Sequence, residues 1–234
     1  MKLLDVRHRS LEPELMDHPG INWDKHRRAL EGLERINSFS SASGPIWQTI
    51  LENADRKNKF KILDIATGAG DLPLMLAGKA EQQGFHFEID GCDKSTQAIQ
   101  YTRQKAEANG IKINFFELDV KKERIPSGYD ILISALFLHH LNEDETIEFI
   151  RNLKSANPKM IILNDLSRSR LGFFLAYIGT RLLSRSEVIH YDGPQSVKAA
   201  YTVSEISELA RRAGLNHYRI KNLWPARFLL TWKK

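Results

Sequence analysis

The sequence predicts an α/β fold built on a doubly wound, mostly parallel sheet. Short apolar segments alternate with segments of helical periodicity between residues 61 and 166. One apolar segment, 129–136, is continuous, which is typical of a strand buried on both faces of a parallel sheet. The first apolar segment ends in a glycine-rich turn. Repeated strand–helix units of this kind form parallel sheets with right-handed crossovers.

The first sixty residues are predicted to be helical. Apolar residues recur at spacings of three and four within 22–37, at Trp23, Ala29, Leu30, Leu33 and Ile36. The serine-rich stretch that follows ends this helix, and Pro45 can begin a second helix in its first turn. We therefore expect an N-terminal helical cap over residues 1–57 and a sheet domain over residues 58–234.

The alternating region is divided by its turn residues into strands and helices. The predicted strands are 61–65, 85–92, 113–118, 129–136 and 160–164, and the predicted helices are 71–83, 95–109 and 144–155. After the fifth strand we expect a helix over 204–214, with Ser204 as its N-cap, and closing β-structure over 218–232.

The composition excludes several classes of protein. Of the 234 residues, 42% are hydrophobic and 27% are charged, which is enough to form a core and argues against disorder. The single cysteine, Cys92, excludes an internal disulfide framework, and the charged N-terminal stretch does not resemble a signal peptide. The longest apolar run, 171–183, is shorter than the roughly 20 residues that cross a bilayer. We expect a cytoplasmic protein.

The net charge of +5 is unevenly distributed along the chain. Residues 62–167 contain 11 basic and 16 acidic residues, whereas residues 168–234 contain 12 basic and 4 acidic residues. A basic final third favours association with an anionic partner, and an ordinary solvated surface explains the same counts equally well. The mild overall charge does not by itself argue for nucleic acid, and we expect none as a partner.

The turn after the first predicted strand carries the most informative motif. Residues 64–73 are Asp-Ile-Ala-Thr-Gly-Ala-Gly-Asp-Leu-Pro, in which the glycines let a ligand approach the backbone and Asp71 can cap the next helix. A dinucleotide-binding turn would have a third glycine where Pro73 stands. The Asp64 carboxylate would repel a pyrophosphate but suits a cation. S-adenosylmethionine, which has a sulfonium, an ammonium and no phosphate, fits these constraints.

On these residues the chain resembles the class I S-adenosylmethionine-dependent methyltransferases over residues 61–166. The ILDIATGAGDL segment is most similar to the quinone-biosynthesis and related small-molecule branch. The whole layout, including residues 14–17 and 35–37, resembles bacterial methyltransferases of polyketide and of phenolic- or quinone-lipid pathways. The resemblance implies a Rossmann-like, seven-stranded sheet. It also implies that Asp93 bonds the ribose hydroxyls, that Asp119 bonds the adenine amine, and that Leu118 or Val120 packs on the ring. The full implied cofactor-binding set is Asp64, Ala66, Thr67, Gly68, Gly70, Asp93, Lys94, Leu118, Asp119, Val120 and Ala135.

His139 and His140 follow the predicted strand that lies beside the cofactor in this family. A histidine titrates near neutrality, so one of them can act as general base for the methyl acceptor. Because successive residues point apart, we expect only one to face the site, and we favour His140. The alternative is that this Leu-His-His-Leu run is a packing element. No spacing of His, Cys and carboxylate residues predicts a metal site, and Cys92 lies inside a predicted strand, where it is poorly placed as a nucleophile.

Residues 166–200 are predicted to form an acceptor-side insertion or lid. They contain an apolar run together with Arg168, Arg170, Arg181 and Arg185, which we place at the mouth of the pocket. Its aromatic and branched side chains are expected to line an apolar acceptor pocket, namely Phe173, Phe174, Tyr177 and Ile178. Peripheral contact of residues 168–186 with anionic lipid and an ordinary buried helix are the alternatives.

The expected activity is methylation of a small apolar or aromatic acceptor, with oxygen slightly favoured over carbon. Two alternatives from other classes remain open. One is an RNA or protein methyltransferase that uses the basic final third. The other is a non-catalytic member that only binds the cofactor. No Asn/Asp-Pro-Pro-Tyr/Phe segment, which amino-methylating nucleic-acid enzymes place after the fourth strand, occurs in this chain at residues 135–138.

Overall fold

The structure is a computed structural model that describes residues 6–18, 20–39, 43–54 and 56–234. Along these residues the α-helices are α1 (Trp23–Phe39), α2 (Ser43–Leu51), α3 (Asp71–Gln83), α4 (Thr96–Ala108), α5 (Glu143–Ser155), α6 (Arg170–Leu183), α7 (Glu187–Ala199) and α8 (Val203–Arg212). The strands are β1 (Lys59–Ile65), β2 (His86–Asp93), β3 (Asn114–Glu117), β4 (Ile131–Ala135), β5 (Met160–Leu166), β6 (Arg219–Leu223) and β7 (Arg227–Lys233). Short 3-10 helices occur at Leu15–Asp17 and Leu138–His140, and we call the latter the histidine turn.

The strands form one seven-stranded sheet in the order β3-β2-β1-β4-β5-β7-β6. Strands β1 to β5 are parallel, while β7 runs antiparallel to both β5 and β6. The predicted doubly wound, mostly parallel sheet is therefore confirmed. The chain moves outward from β1 through β2 to β3 and then returns to place β4 beside β1. This reversal opens a crevice at the carboxyl ends of β1 and β4, where ligands bind in such sheets.

Alternate residues of the central strands pack into cores on the two faces of the sheet. On one face, Leu63 and Leu132 belong to a cluster that includes residues of α5 and α8. On the other, Ile62 and Ile133 belong to a cluster that includes residues of α2 and α3. All four of these strand side chains are fully buried. A sheet fixed from both sides in this way holds its strand ends rigidly, which positions the site.

Several predicted element boundaries differ from the structure. Helix α8 begins at Val203, and its N-cap is Thr202 rather than Ser204, because the Thr202 hydroxyl and the Glu205 carboxylate form a reciprocal capping box. Strand β5 extends to Leu166 because the antiparallel strand β7 pairs with it over its whole length. The sequence of β5 itself does not show that β7, which lies more than sixty residues later, pairs with it.

Helices α6 and α7 form a hairpin that also contacts α1. The close approach of the two helices depends on Gly193, because a Cβ there would lie 2.4 Å from the Thr180 Cγ2 atom. The polar stretch at residues 187–199, for which the sequence gives no helix, is helical despite Pro194 within it. The division at residue 57 stays a prediction.

None of the described helices is both long and apolar enough to cross a membrane.

Candidate active site

A cavity of about 1290 Å³ lies at the carboxyl edge of the sheet. Its walls come from the β1–α3 turn, the ends of β2 and β4, the segment after β3 and the histidine turn. Helices α6 and α7 and the described residues before α1, which we call the N-terminal segment, also contribute to the walls. Most of the predicted site residues meet there: Asp64, Ala66, Thr67, Gly68, Asp93, Lys94, Leu118, Asp119, Val120, Ala135, His139 and His140. Gly70 is not part of this wall. The fold therefore gathers residues that are spread over some eighty positions of sequence.

Asp93 is held at the end of β2 by two backbone amides. Its Oδ2 accepts from the amide of Gly68 at 2.9 Å, and its Oδ1 accepts from the amide of Ser95 at 2.9 Å. Each oxygen keeps a second lone pair for a ligand hydroxyl. The carboxylate is thus already oriented before any ligand arrives.

The two glycines of the β1–α3 turn have different tasks. Gly68 has φ +52°, and a Cβ built on it meets no protein atom within 4 Å, so it presents bare backbone to the cavity. Gly70 has φ +72°, and a Cβ there would lie 2.1 Å from the Thr102 Cγ2 atom of α4. Gly70 is the N-cap of α3, which corrects the prediction that Asp71 caps it. Asp71 instead bonds Lys105 at 2.7 Å.

Asp64 is a buried carboxyl group at the bottom of the cavity. It is 2% exposed, and its Oδ2 accepts from the Thr67 hydroxyl at 2.6 Å. Burial raises the pKa of Asp64 to about 7; the Thr67 hydrogen bond opposes this, and the nearby charges of Asp93 and Asp71 add to it. A cationic ligand favours the ionised form of such a group.

Asp119 lies in the cavity wall between Leu118 and Val120. Its carboxylate bonds the Lys122 ammonium at 2.9 Å and accepts from the amide of Lys121 at 3.1 Å. These contacts hold the pKa of Asp119 below its usual value. The two apolar neighbours and the carboxylate form a short edge that suits a flat ring carrying an amine.

Backbone strain is present where β1 and β4 end. Ala66 and Leu136 both have positive φ, at 58° and 57°, a conformation that costs side-chain-bearing residues free energy. Both line the cavity. Such residues persist where the surrounding structure forces them, and they cluster at binding and catalytic sites.

The two histidines face the same cavity, so the expectation that only one of them does is wrong. Their ring centroids lie 4.2 Å apart, and the ring planes are tilted by 35°. The cause is local structure: the pair belongs to a 3-10 helix and not to a strand, in which successive side chains would point to opposite faces.

The geometry favours His139 over His140 as the base. His139 is 4% exposed, and its Nδ1 bonds the Asp165 Oδ1 at 2.7 Å. Burial acts to raise the pKa of Asp165, but the His139 imidazole and the amide of Leu166 hold it below the usual value. The ionised carboxylate therefore accepts a hydrogen bond from the Nδ1–H group, and in this tautomer the Nε2 lone pair is left to accept a proton.

Glu14 completes this cluster from the N-terminal segment. Its Oε1 lies 3.7 Å from the His139 Nε2, and Glu14, His139 and His140 each offer a ligand atom within 4.8 Å of the others. Sequence spacing missed this grouping because Glu14 lies far from the histidines in the chain. Two imidazoles and a carboxylate at this spacing could hold a metal ion, and the same three groups could relay a proton.

Two further residues that the sequence did not single out fix the site. The Arg9 guanidinium stacks on the Tyr201 ring at 3.6 Å and donates to the carbonyl oxygens of Leu141 and His139 at 2.6 and 3.1 Å. It thereby ties the N-terminal segment to the histidine turn. The Asp192 carboxylate of α7 accepts from the amides of Leu15 and Met16. No local pattern marks either residue.

The acceptor side of the cavity is apolar, but its lining differs from the prediction. Phe173 is buried in a small separate core, and Phe174, Tyr177 and Ile178 are exposed, so none of these four lines the cavity. The rotation of α6 instead turns its other residues inward, and these are Leu175, Ala176, Gly179 and Thr180. The apolar run places apolar residues on more than one side of the helix, so its sequence does not show which side turns inward.

The four arginines that were expected at the pocket mouth do not lie together in the structure. Arg168 is 7% exposed, pairs with Glu205 and donates to the carbonyl oxygen of Ala200. It therefore secures α8 and does not stand at a pocket mouth. Arg170, Arg181 and Arg185 are exposed. Arg227 of β7, by contrast, lines the cavity at 5% exposure, and burial lowers its pKa to about 10, which leaves it cationic at neutral pH.

The chain is similar to known methyltransferases over part or most of its length. Residues 62–157 match the family model described as a methyltransferase domain. The chain is 29% identical over 148 residues to a demethylmenaquinone methyltransferase of Thermus thermophilus, which covers 62% of this chain and 64% of that protein. It is 23% identical over 221 residues to a ubiquinone biosynthesis O-methyltransferase of Rickettsia felis, covering 91% of this chain and 86% of that protein. The first of these matches spans a little under two thirds of its relative.

The fold recurs among solved structures. The magnesium protoporphyrin IX methyltransferase of Synechocystis PCC 6803 with bound SAH superposes with a TM-score of 0.59 at 16% identity, covering 93% of this chain and 90% of that one. At this identity the likeness concerns the fold alone.

Proposed function

We propose that this chain, whose residues 62–157 match a methyltransferase-domain model, transfers a methyl group from S-adenosylmethionine to a small apolar or aromatic acceptor. The observation that carries the proposal is the arrangement within one cavity. A bare glycine turn with the fixed Asp93 carboxylate forms one wall, and the Asp165–His139 pair stands in another. The first suits a nucleoside ligand, and the second suits an acceptor that must lose a proton.

The part of the cavity that would hold the methyl donor already has its polar and apolar groups in position. Asp93 offers two oriented oxygens to ribose hydroxyls, and Leu118 and Val120 offer apolar contact to a ring beside Asp119. S-adenosylmethionine, when bound, supplies a methyl group made electrophilic by its sulfonium. The Asp64 carboxyl group, poised with its pKa near 7, is drawn to the ionised form by a cation in the cavity. Lys94 and Ala135 complete the walls around the ligand.

At the acceptor end of the cavity, we propose that His139 takes up the proton that the acceptor loses. The acceptor hydroxyl oxygen forms a bond to the methyl carbon as the carbon–sulfur bond breaks, and S-adenosylhomocysteine leaves. The hydroxyl proton passes to the His139 Nε2, and Asp165 stabilises the resulting imidazolium. His140, stacked on His139, supports the ring and shares the cavity wall. We propose oxygen rather than carbon as the methylated atom.

The rest of the cavity lining is apolar, and it indicates the class of acceptor. The inner face of α6 contributes Leu175 and Ala176, and helix α1 adds Leu30 and Leu33. Burial of apolar surface therefore drives acceptor binding. We propose a hydroxylated ring with apolar substituents, in line with the resemblance to quinone and phenolic-lipid enzymes.

The test is transfer of labelled methyl from S-adenosylmethionine into fractionated acceptors. The purified chain is incubated with a panel of catechols, phenols and quinols and with bacterial lipid, RNA and protein fractions. We expect label in apolar-extractable products, with and without a chelator. Label in RNA or protein instead would favour the alternative that the basic final third suggests. Binding of S-adenosylhomocysteine without any transfer would favour the non-catalytic alternative.

A further inference from the structure

Helix α6 carries an unusual exposed apolar stripe on the side away from the cavity. Leu171, Phe174, Ile178 and Leu182 follow one another at spacings of three, four and four residues, which places them along one line of the helix. Leu182 is 78% exposed, and Leu171 and Phe174 are 53% and 54% exposed. Tyr177 lies beside them and is also exposed. We call these residues the outer face of α6.

Only positive charge accompanies the outer face within its own segment. From residue 167 to residue 186 the sequence has four arginines and neither Asp nor Glu. One, Arg168, is buried against Glu205, and the other three are exposed. Arg181 stacks on Tyr177 at 3.6 Å, so its charge lies at the edge of the apolar stripe. Apolar surface bordered by arginine is the pattern of helices that lie in the interface of anionic membranes.

We propose that the outer face of α6 docks on an anionic phospholipid bilayer, with the helix lying flat at the level of the headgroups. Leu171, Phe174 and Leu182 enter the acyl boundary, and the exposed arginines pair with lipid phosphates. A second copy of the chain fits this face less well. Symmetric pairing of two such helices would bring arginines towards arginines without an acidic partner in the segment.

Docking there also connects the bilayer with the cavity, a consequence that rests on the proposed function. The inner face of the same helix lines the acceptor side through Leu175, Ala176, Gly179 and Thr180. One helix therefore separates lipid from the methyl-transfer site, and an acceptor dissolved in the bilayer has a short path along it. The acceptor class this implies is a hydroxylated ring with a lipid-soluble chain.

The experiment is flotation of the full chain with vesicles made of equal parts phosphatidylglycerol and phosphatidylcholine, compared with vesicles of phosphatidylcholine alone. We expect binding to the anionic vesicles that weakens as salt is raised. The combined variant Phe174→Ser, Leu182→Ser should lower the vesicle affinity by at least about tenfold. Both side chains lie outside the cavity, so binding of S-adenosylhomocysteine, measured by calorimetry, should not change.

A matched pair of single charge reversals tests the electrostatic part. Arg185→Glu should weaken binding to anionic vesicles several-fold, whereas Lys112→Glu, an equal change at an exposed position near β3, should not. Unchanged vesicle affinity in the serine variant would overturn the proposal. So would absence of vesicle binding by the wild type, or a dimer that the serine variant dissociates. Because S-adenosylhomocysteine binding is measured separately, each of these results leaves the methyltransferase proposal intact.

Discussion

At the residue scale, three aspartates at strand ends do different work because their surroundings differ. Asp93 is oriented by two amides, Asp64 is buried against a single hydroxyl, and Asp165 is buried against an imidazole. Burial raises the pKa of Asp64, whereas His139 holds that of Asp165 below its usual value. We propose that the same type of side chain therefore serves three roles: an oriented acceptor for ligand hydroxyls, a group that a cation ionises, and the partner of a general base.

The raised pKa of Asp64 predicts a specific pH dependence of stability. In the unfolded chain this carboxyl ionises near pH 4, but in the folded protein it keeps its proton up to about pH 7. Between these values the folded state binds more protons, so the free energy of unfolding falls as pH rises, by roughly 1.4 kcal/mol per pH unit at most. Asp64→Asn has no ionisable group at this position, so it lacks this fall in the free energy of unfolding. Its stability relative to the wild type, measured by denaturant unfolding, should rise from pH 4.5 to pH 7.5.

Asp130 provides the control for that measurement. Hydrogen bonds from Lys159 and from the amide of Lys61 outweigh burial and hold its pKa below the usual value. Removing its charge should therefore cost stability at neutral pH and less in acid, the opposite trend. A stability difference between Asp64→Asn and the wild type that does not vary with pH would contradict the assignment.

At the element scale, the β1–α3 turn shows how one short segment serves ligand and fold together. Gly68 exposes backbone to the cavity, while Gly70 allows α4 to approach. Ala66 and Leu136 add strain at the same edge, at the ends of two paired strands. The sequence marks this turn by composition alone, so both glycines looked like ligand residues. The difference between them comes from Thr102, which no local pattern connects to the turn.

Substitution of the two glycines by alanine should separate these roles. Gly70→Ala should destabilise the fold strongly, because its Cβ meets Thr102 at 2.1 Å. Adding Thr102→Ser removes the clashing methyl group and should restore part of the loss. Gly68→Ala should cost about 1–2 kcal/mol of stability from its left-handed conformation and should weaken S-adenosylhomocysteine binding. Equal losses of stability in both single variants, with no recovery in the double variant, would refute this division.

The orientation of α6 about its own axis could not be predicted from its sequence. Its helical character follows from composition, and Ser169 caps it by accepting from the amide of Gly172. Which side faces the cavity depends on how the helix packs against α7 and α1. Phe174 and Ile178 were expected in the pocket, yet they face outward. Hydrophobicity alone does not determine the rotation of a helix whose apolar residues cover most of its surface.

At the scale of the whole molecule, the site is closed by contacts between distant parts of the chain. Arg9 joins the N-terminal segment to the histidine turn and to Tyr201, and Asp192 holds the amides of Leu15 and Met16. Glu14 is carried into the histidine cluster by the same segment. The N-terminal residues therefore contribute side chains to the candidate site and do not only cover it.

Loss of the Arg9 contacts should loosen the site without unfolding the sheet. Arg9→Ala should cost roughly 1–3 kcal/mol, the scale for removing a hydrogen-bonded charged group, and Arg9→Lys should restore little because lysine cannot make the same set of bonds. Amide hydrogen exchange in residues 138–141 should quicken. Arg28→Ala, the same change at an exposed arginine of α1, is the matched control. Unchanged exchange in the Arg9 variants would show that the histidine turn is held by other contacts.

Much of the fold and of the cofactor end could be predicted from the sequence because their signals are local. Strands alternate with helices in order, Asp93 is the last residue of β2, and Asp119 follows β3. The acceptor end could not be predicted in this way. His139 gains its role from Asp165 and Glu14, which lie 26 and 125 positions away. Pairings of this range are determined by the assembled fold and leave no pattern in the sequence around each residue.

The most direct test of the central claim is the single-turnover rate of methyl transfer by Asp165→Asn, with S-adenosylhomocysteine affinity measured alongside. Asparagine keeps the size of Asp165 but removes the charge that orients His139 and stabilises its protonated form. We predict a fall in rate of about 10²- to 10⁴-fold with cofactor affinity unchanged, and a smaller loss for His140→Asn. A rate within twofold of the wild type for Asp165→Asn would contradict the assignment of His139 as the proton acceptor.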